Sequence, residues 1–543
     1  MMLLLFSSVL IISVLAGWGK IMESIFGTLT RGISGSILLG ILGLSLIWTV
    51  LAFFIPISIY VEIPFVSAGI LFFFKKKLYL QFYRFSKKDS VLIGSISLVI
   101  LYSSSFYPYI LDHFGYYVPT IKWLTEYGLV KGISNLDLTL GQMSIWHIFQ
   151  AGFSGFSDPF LRINAILLIV YTFYIFERKS WVQLCFIPIL LLFSQSPSPD
   201  LPVITLSLII LNEIVTGNKN ISLLFAYSVF IFSVKPTMIW LPILVFLCSA
   251  FIFKPHYKNT VFGILILLLF FIKNIWTFGY PVFPIAAGDL GFSWKPNPEI
   301  LKISSQYAIQ KTYDMQYTYG EIQRFSSYSA VKTWFLLDGI KSKINSLFII
   351  SLVLFSVFAF IKKKKIITLI CISLLIKSIF VLAFSAQYRF FIDVFFVIFF
   401  ILFIHFGKKK SLLLFAASSL LIMGILSFPN FIRHYIPSFK PGNFMAGLKK
   451  EQLYKPSTYH YNKFETFRTG NLKFNISKDY PFNFDTPIPA ISSGYVIDDV
   501  QSGIFPQYID EKNIKKGLIW KKLTPQEKRE AENIINTIKN TDK

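Results

Sequence analysis

Long apolar runs separated by short polar stretches make up most of this chain. About fourteen of these runs approach the roughly 20 residues that an α-helix needs to cross a bilayer. They lie at residues 2–18, 34–54, 57–74, 91–107, 160–176, 181–194, 201–216, 221–234, 237–253, 260–278, 346–361, 366–384, 390–406 and 411–428. The pattern predicts an all-α polytopic membrane protein with about 12–14 transmembrane helices.

Basic residues fall between alternate runs, in clusters such as Lys75–Lys77, Lys362–Lys365 and Lys408–Lys410. Loops on the cytoplasmic side of a membrane carry this excess of Lys and Arg. We therefore expect these clusters to be cytoplasmic and the long polar segments of the chain to be extracytoplasmic.

The same pattern divides the chain into three parts. Residues 1–89 hold N-terminal membrane spans, residues 90–428 form a membrane core, and residues 429–543 form an extracytoplasmic C-terminal region. The core includes two large outer loops, at 108–159 and 279–345.

The outer segments contain helical patterns of their own. Residues 108–159 predict one or two amphipathic helices that lie on the membrane, and 279–345 becomes helical after its proline-rich start. In the tail, Thr524-Pro525 followed by Glu527 is typical of a capping box that begins a helix. The tail is long enough for a small domain, but a lid packed on the other loops fits the sequence equally well.

Composition supports the membrane assignment and narrows the partners. The chain is 54% hydrophobic with a net charge of +24 and a mean hydropathy of +0.61. The charge lies in loop clusters, which indicates orientation and contact with anionic lipid rather than nucleic acid. No GxxxxGK[ST] or GxGxxG motif is present, so we expect no nucleotide cofactor.

Five ionisable residues at the outer ends of apolar runs are candidates for chemistry. A charge at the bilayer centre costs about 2.5–3.5 kcal/mol or more, so such residues usually face a cavity or an interface. An active site at the membrane surface would use carboxylates as base or metal ligand and cations to bind phosphate. The alternative for each residue is that a Lys or Arg snorkels and an Asp caps a helix. The five are Asp112, Asp200, Lys235, Lys273 and Arg389.

Other ionisable residues carry weaker signals. Lys377 and Asp393 lie deeper in apolar runs, where mutual pairing or helix packing explains them at least as well as function. His113 and His147 share the first outer loop with Asp112, but no HxxxH or HxH spacing supports a metal site there.

The segments from Asp112 to Trp123, Ser198 to Leu201, Lys273-Asn274 and Tyr388 to Phe390 carry a resemblance to a known family. An Asp-containing outer loop, many spans with short turns, a second large outer loop and an outer tail follow one another in that family's order. The chain resembles the GT-C superfamily of integral-membrane glycosyltransferases. It looks closest to a group of largely uncharacterised bacterial polytopic membrane proteins, with the similarity spanning residues 90–430.

The resemblance implies a bacterial cytoplasmic membrane enzyme of glycan biosynthesis that transfers sugar from a polyprenyl phosphate to an extracytoplasmic glycan, lipid or protein. Asp112 would be the general base or help to hold a divalent metal, which the sequence leaves open. Arg389, Lys273 and Lys235 would bind the donor phosphate. Further substrate contacts would come from His113, Tyr116, Tyr117, Lys122, Trp146, His147, Asp200, Asn274 and Tyr388.

Two other functions fit the same sequence. An oligosaccharide polymerase or ligase with a diphosphate-linked donor would rely on arginine and histidine and would not need Asp112. A flippase or transporter of lipid-linked glycans would fit the many spans and the charges within them. The absence of paired repeats and the large outer loops count against transport.

Overall fold

The structure, a computed structural model, describes residues 1–253, 260–435 and 447–541. Helices account for most of residues 1–435. They are α1 Met2–Phe26, α2 Ile33–Ala52, α3 Ile59–Lys75, α4 Lys87–Ser104, α5 Val118–Glu126, α6 Ile145–Ala151, α7 Ile163–Arg178, α8 Ile187–Leu190, α9 Asp200–Val215, α10 Ile221–Val234, α11 Trp240–Cys248, α12 Val261–Phe278, α13 Pro298–Thr312, α14 Tyr319–Gln323, α15 Ser327–Phe335, α16 Ile340–Lys362, α17 Lys365–Phe384, α18 Tyr388–Leu402, α19 Lys408–Ser427 and α20 Pro429–Tyr435.

Each of the apolar runs in the sequence forms helical structure, so the prediction of a mainly helical membrane protein is confirmed. Within the described residues, seven helices are long and apolar enough to cross a membrane: α1, α2, α11 with its flanking turns, α12, α16, α17 and α19. The other runs form helices that are shorter or begin with charged residues. Several of these are interior helices; in α9, for example, every residue except Val215 is buried.

Small residues let the N-terminal helices pack backbone to backbone. A Cβ atom on Gly19 of α1 would lie 1.6 Å from the carbonyl oxygen of Ser36 in α2. A Cβ atom on Gly40 of α2 would lie 2.0 Å from the carbonyl oxygen of Leu15 in α1. Helix α3 approaches α1 equally closely at Gly17. Such close approach is the usual way in which membrane helices gain packing energy.

The two ends of the helical bundle differ. At one end the long loops and the tail gather around α2, where the Ala52 carbonyl accepts a hydrogen bond from the Leu129 amide at 2.7 Å. At the other end of α2, the Glu177 carboxylate accepts a hydrogen bond from the Ile33 amide at 2.7 Å. Asn135 Nδ2 donates to the carbonyl of Trp294 in the second long loop at 2.7 Å and to that of Leu518 in the tail at 3.3 Å, so both long loops and the tail meet at one end of the bundle. The side of the membrane that they occupy stays a prediction.

The C-terminal region adds two antiparallel hairpins that the sequence analysis does not predict. They pair β1 Phe464–Thr469 with β2 Leu472–Ser477, and β3 Ile504–Tyr508 with β4 Leu518–Lys522; α21 Ser493–Gln501 and α22 Pro525–Thr541 complete the region. The predicted capping box is confirmed, because the Thr524 amide donates to Glu527 Oε2 at 2.8 Å and the Glu527 amide donates to Thr524 Oγ1 at 3.3 Å.

The tail packs on the long loop at 108–159 of the membrane part. Lys122 Nζ donates to the carbonyls of Asp485 at 3.1 Å and Thr486 at 3.2 Å. The Leu518 amide at the start of β4 donates to the Lys131 carbonyl at 2.9 Å. Because these bonds join the tail to the loop that carries Asp112, the tail covers the end of the bundle where the candidate site lies.

Candidate functional site

Four charged side chains from distant parts of the sequence meet at the loop-covered end of the bundle. Arg389 Nη2 lies 2.9 Å from Asp112 Oδ2 and 3.8 Å from Asp200 Oδ2. Lys235 Nζ forms an ion pair with Asp200 Oδ1 and donates to the Arg389 carbonyl at 3.3 Å. We call Asp112, Asp200, Lys235 and Arg389 the charge cluster; it contains two carboxylates and two cations.

Local structure explains how two of these side chains reach the cluster. Asp200 is the first residue of α9, where a carboxylate is favoured by the helix dipole. Its amide and Oδ2 both lie 3.3 Å from Ser198 Oγ. Lys235 precedes Pro236, and the residue before a proline avoids helical geometry, so α10 ends there with Lys235 extended (φ −149°, ψ 110°).

Burial divides the charge cluster into an inner and an outer half. The side chains of Asp200 and Lys235 are each 11% exposed. Those of Asp112 and Arg389 are 31% and 38% exposed. Asp200 therefore anchors the two cations from within, while Asp112 and the Arg389 guanidinium can be reached from outside.

Two tyrosines and a histidine form a wall beside the cluster. Tyr116 and Tyr117 end a π-helical turn, His113–Tyr117, that precedes α5, and turns of this kind are frequent at functional sites. The His147 ring centroid lies 4.8 Å from that of Tyr117 and 6.0 Å from that of Tyr116. The Tyr117 hydroxyl lies 3.5 Å from Ser198 Oγ, next to Asp200.

Both histidines of the loop at 108–159 are buried, and the pKa of each lies below its usual value. Burial lowers the pKa of His113 well below its usual value, and nearby Arg162 and His147 lower it further. Burial and the charge of Lys273 lower the pKa of His147 to about 3, although the Pro197 carbonyl favours its charged form. His113 Nδ1 lies 3.1 Å from Ser196 Oγ, so this ring helps to hold the loop before Asp200.

Asn164 positions the charge cluster although sequence reasoning missed it. Its Nδ2 donates to the carbonyls of Ser198 at 2.9 Å and Phe193 at 3.1 Å. Trp146 Nε1 donates to Asn164 Oδ1 at 2.8 Å. Trp146, which was predicted to contact the substrate, is thus fully buried behind the loop that carries Asp200. The sequence did offer one sign of this role, because Asn164 is a polar residue near the start of an apolar run.

Arg162 is a second missed residue, and it joins three parts of this end of the protein. Its guanidinium donates to the carbonyl of Ser104 at the end of α4 and to that of Ser457 in the tail, each at 2.9 Å. Its amide donates to the Asp158 carboxylate at 2.6 Å. Arg162 therefore fixes the tail against the helix end from which the chain leads to Asp112.

Three of the predicted site residues outside the charge cluster bind backbone carbonyls. Lys273 is buried and donates to the carbonyls of Gln142 at 2.6 Å and Met143 at 3.2 Å. Asn274 donates to the Pro281 carbonyl at 2.8 Å, and Lys122 holds the tail as described above. In the structure, Lys273 and Asn274 fix loop backbone and Lys122 fixes the tail.

Tyr388 lies beside the charge cluster rather than within it. It is the first residue of α18 and immediately precedes Arg389. Its side chain is partly exposed, and Lys341 Nζ lies 5.5 Å from the centroid of its ring. The Tyr388 ring therefore faces the start of α16, which carries Lys341.

The donor set of the cluster does not fit a divalent metal. Asp112 and Asp200 share the Arg389 guanidinium, and Asp200 also pairs with Lys235, so cations of the protein already neutralise both carboxylates. Across the described ranges, no group of three or more His, Cys, Asp or Glu side chains could hold a metal.

These features define a polytopic, mainly helical membrane protein in which four charged residues meet beneath the long loops. The chain belongs to the family described as a domain of unknown function, DUF8201, whose model matches residues 1–396. That match includes the N-terminal helices and all four residues of the charge cluster. No curated protein and no solved structure matches the chain.

Proposed function

We propose that this protein is a membrane glycosyltransferase of the GT-C type, which takes a sugar from a polyprenyl-phosphate donor and passes it to an extracytoplasmic glycan, lipid or protein. The observation that carries the proposal is the charge cluster. Four ionisable side chains from distant apolar runs meet at one end of the bundle, with Asp112 and Arg389 open to a substrate. Ionisable groups gathered in this way in a membrane protein usually mark a functional site.

The two cations suit the phosphate of the donor. The Arg389 guanidinium can bind two phosphate oxygens at once, and Lys235 adds a second positive charge from the inner side. Asp200 contacts both cations and holds them before the substrate arrives. Cations fixed in this way stabilise the negative charge that develops on the departing phosphate without first having to reorganise.

Asp112 suits the role of general base. Its carboxylate takes the proton of an acceptor hydroxyl, the acceptor oxygen bonds to the anomeric carbon, and the bond from that carbon to the phosphate oxygen breaks. The electron pair of the broken bond leaves with the polyprenyl phosphate, beside Arg389. The donor phosphate would compete for Arg389, which now pairs with Asp112, and the competition would release the carboxylate for proton transfer.

The proposal is tested with the purified full-length protein in lipid nanodiscs and radiolabelled polyprenyl-phosphate sugars. Asp112→Asn and Arg389→Ala should each reduce transfer by about a hundredfold or more, as expected for loss of a base or of a charge-stabilising donor. Matched controls are Asp510→Asn and Arg468→Ala, which change partly exposed ion pairs in the tail. All variants should remain monodisperse in size-exclusion chromatography.

The same assay separates the alternatives. Full transfer by Asp112→Asn would exclude the base role, and use of a diphosphate-linked donor by that variant would indicate the polymerase or ligase. Movement of lipid-linked sugar across the bilayer without transfer would indicate a flippase. Absence of transfer from every polyprenyl-phosphate sugar would contradict the proposal itself.

A further inference from the structure

The end of α10 leaves a backbone carbonyl without a partner in its own helix, next to a cation of the charge cluster. Lys235 follows Val234, the last residue of α10, and Pro236 prevents the helix from continuing. In a continued helix the Met238 amide would donate to the Val234 carbonyl, but it donates to the Lys235 carbonyl instead, at 3.0 Å. A buried carbonyl at a helix end therefore needs a donor from elsewhere.

Ser144 supplies this donor from the loop at 108–159. Its hydroxyl donates to the Val234 carbonyl at 2.8 Å, across 90 residues of sequence. Both residues are buried, with exposed fractions of 2% and 1%. Ser144 is also the N-cap of α6, where its Oγ accepts from the Trp146 amide at 3.3 Å. One hydroxyl thus joins the start of α6 to the end of α10, directly before Lys235.

The turn that precedes Ser144 is fixed to α12. Thr277 Oγ1 donates to the Gly141 carbonyl at 2.8 Å, and Lys273 binds the next two carbonyls as described above. Met143 has a φ of 27° and a ψ of 65°. Few residues other than glycine adopt a positive φ, and such a conformation persists only where the surrounding structure holds it. Ser144 is therefore held in a fixed position from which it can restrain α10.

Ser144 also restrains the ion-pair partner of Lys235. It caps α6, which carries Trp146, and the bond from Trp146 to Asn164 described above supports the loop before Asp200. Contacts that begin at Ser144 therefore lead to both members of the buried pair that Lys235 forms with Asp200. A closed set of contacts of this kind fixes the two charges relative to each other.

From this geometry we infer that Ser144 is a positioning residue for the donor phosphate site, which acts on Lys235 through the Val234 carbonyl. The bond keeps the Lys235 ammonium group beside the Asp200 carboxylate and the Arg389 carbonyl before a ligand binds. A cation at a phosphate site is most effective when its supporting contacts hold it in advance. The importance of Ser144 for transfer rests on the proposed function, but the restraint on Lys235 does not.

Acetylation of Lys235 tests the restraint without a substrate. The full-length protein in lipid nanodiscs is treated with sulfo-N-hydroxysuccinimide acetate, and peptide mass spectrometry measures the rate at each lysine. The Lys235 side chain is only 11% exposed and should react slowly in the wild type. Ser144→Ala should raise the rate at Lys235 roughly tenfold, as expected when one hydrogen bond that holds the segment is lost.

A matched control and two reference lysines show whether the change is local. Ser233→Ala removes an equally buried hydroxyl, which bonds to Val229 within α10, and should leave the rate at Lys235 unchanged. Buried Lys377 and exposed Lys302 should react in Ser144→Ala as they do in the wild type. Equal rates at Lys235 in the two serine variants would overturn the inference. A parallel rise at Lys377 would also overturn it, because it would indicate a general loss of stability.

The transfer assay tests the consequence for the donor. Ser144→Ala should raise the KM for the polyprenyl-phosphate sugar about tenfold and leave the KM for the acceptor unchanged, because Asp112 is not affected. A donor KM equal to that of Ser233→Ala would overturn the role in phosphate binding. Absence of transfer in the wild type, together with faster acetylation of Lys235 in Ser144→Ala, would count against the proposed function alone.

Discussion

Breaking the ion pair between Lys377 of α17 and Asp393 of α18 should destabilise the protein strongly. The two side chains are only 1% and 4% exposed, and Trp240 Nε1 donates to Asp393 Oδ2 at 2.9 Å. Removal of one partner from a buried pair costs about 3–5 kcal/mol because the other charge stays buried alone. An exposed pair contributes only about 0–1 kcal/mol. The burial of this pair therefore predicts the larger effect.

Three variants isolate the effect of the charges. Lys377→Met leaves the carboxylate unpaired, and Asp393→Asn leaves the ammonium group unpaired. The double variant removes both charges and retains an oxygen that can accept from Trp240. In reversible unfolding in mixed micelles of detergent and sodium dodecyl sulfate, followed by tryptophan fluorescence, each single variant should lose about 3–5 kcal/mol. The double variant should lose less than either.

The matched control is Lys302→Met, because Lys302 forms an exposed pair with Glu299 and its loss should change stability little. Single variants as stable as this control would refute the reasoning, and so would a double variant whose loss equals the sum of the single losses. The pair also matters for the charge cluster. Asp393 lies one helical turn after Arg389 and accepts a hydrogen bond from Trp240, which follows Lys235 by five residues, so Asp393 joins the segments that carry both cations.

Three other predictions concern packing, pH and metal. Gly19→Leu should destabilise the protein by about 1–3 kcal/mol or more through overpacking, because a Cβ atom at this position meets the Ser36 carbonyl. Gly424→Leu should not destabilise the protein, because nothing lies within 4 Å of a Cβ atom there. Unfolding in micelles measures the stability of both variants. Burial raises the pKa of Asp137 from 3.8 to about 6. The folded protein therefore binds this proton more tightly than the unfolded chain does, and the free energy of unfolding should fall as pH rises across that range. Thermal unfolding of Asp137→Asn should depend less on pH than that of the wild type, and an unchanged pH dependence would contradict the assignment. Transfer should persist in EDTA, because Arg389 and Lys235 supply the positive charge at the phosphate; loss of transfer that Mg²⁺ or Mn²⁺ restores would contradict this.

The positions of the helices could be predicted from the sequence, because each apolar run must leave water whatever the rest of the chain does. The cap of α22 was also predictable, since Thr524 and Glu527 are only three residues apart. Helix lengths were less predictable. Interior helices such as α9 are covered by protein on all sides, and the apolar pattern does not distinguish protein from lipid as the covering material. The sequence analysis did not predict the hairpins of the tail, because the hydrophobic pattern of short alternating strands is weak beside that of long apolar runs.

The candidate site was predictable as a set of residues but not as an arrangement. The sequence singled out five charged residues, and the structure brings four of them together, while Lys273 binds backbone carbonyls instead. The sequence left mutual pairing, helix packing and function open for Lys377 and Asp393, and the structure shows them as an ion pair. Asn164 was missed because its role depends on a hydrogen bond to Ser198. Ser198 lies in a later loop of the chain, and only the packing of the helices places that loop next to Asn164.

The sequence by itself determined which stretches must leave water and which charged residues stand at their ends, because the cost of placing a charge in an apolar environment applies to each run separately. Only the tertiary structure decided which of those charges meet. Asp112 and Arg389 are 277 residues apart in the sequence. Their contact depends on how the intervening helices pack and on the rotation of α18 about its axis, which local sequence patterns do not encode.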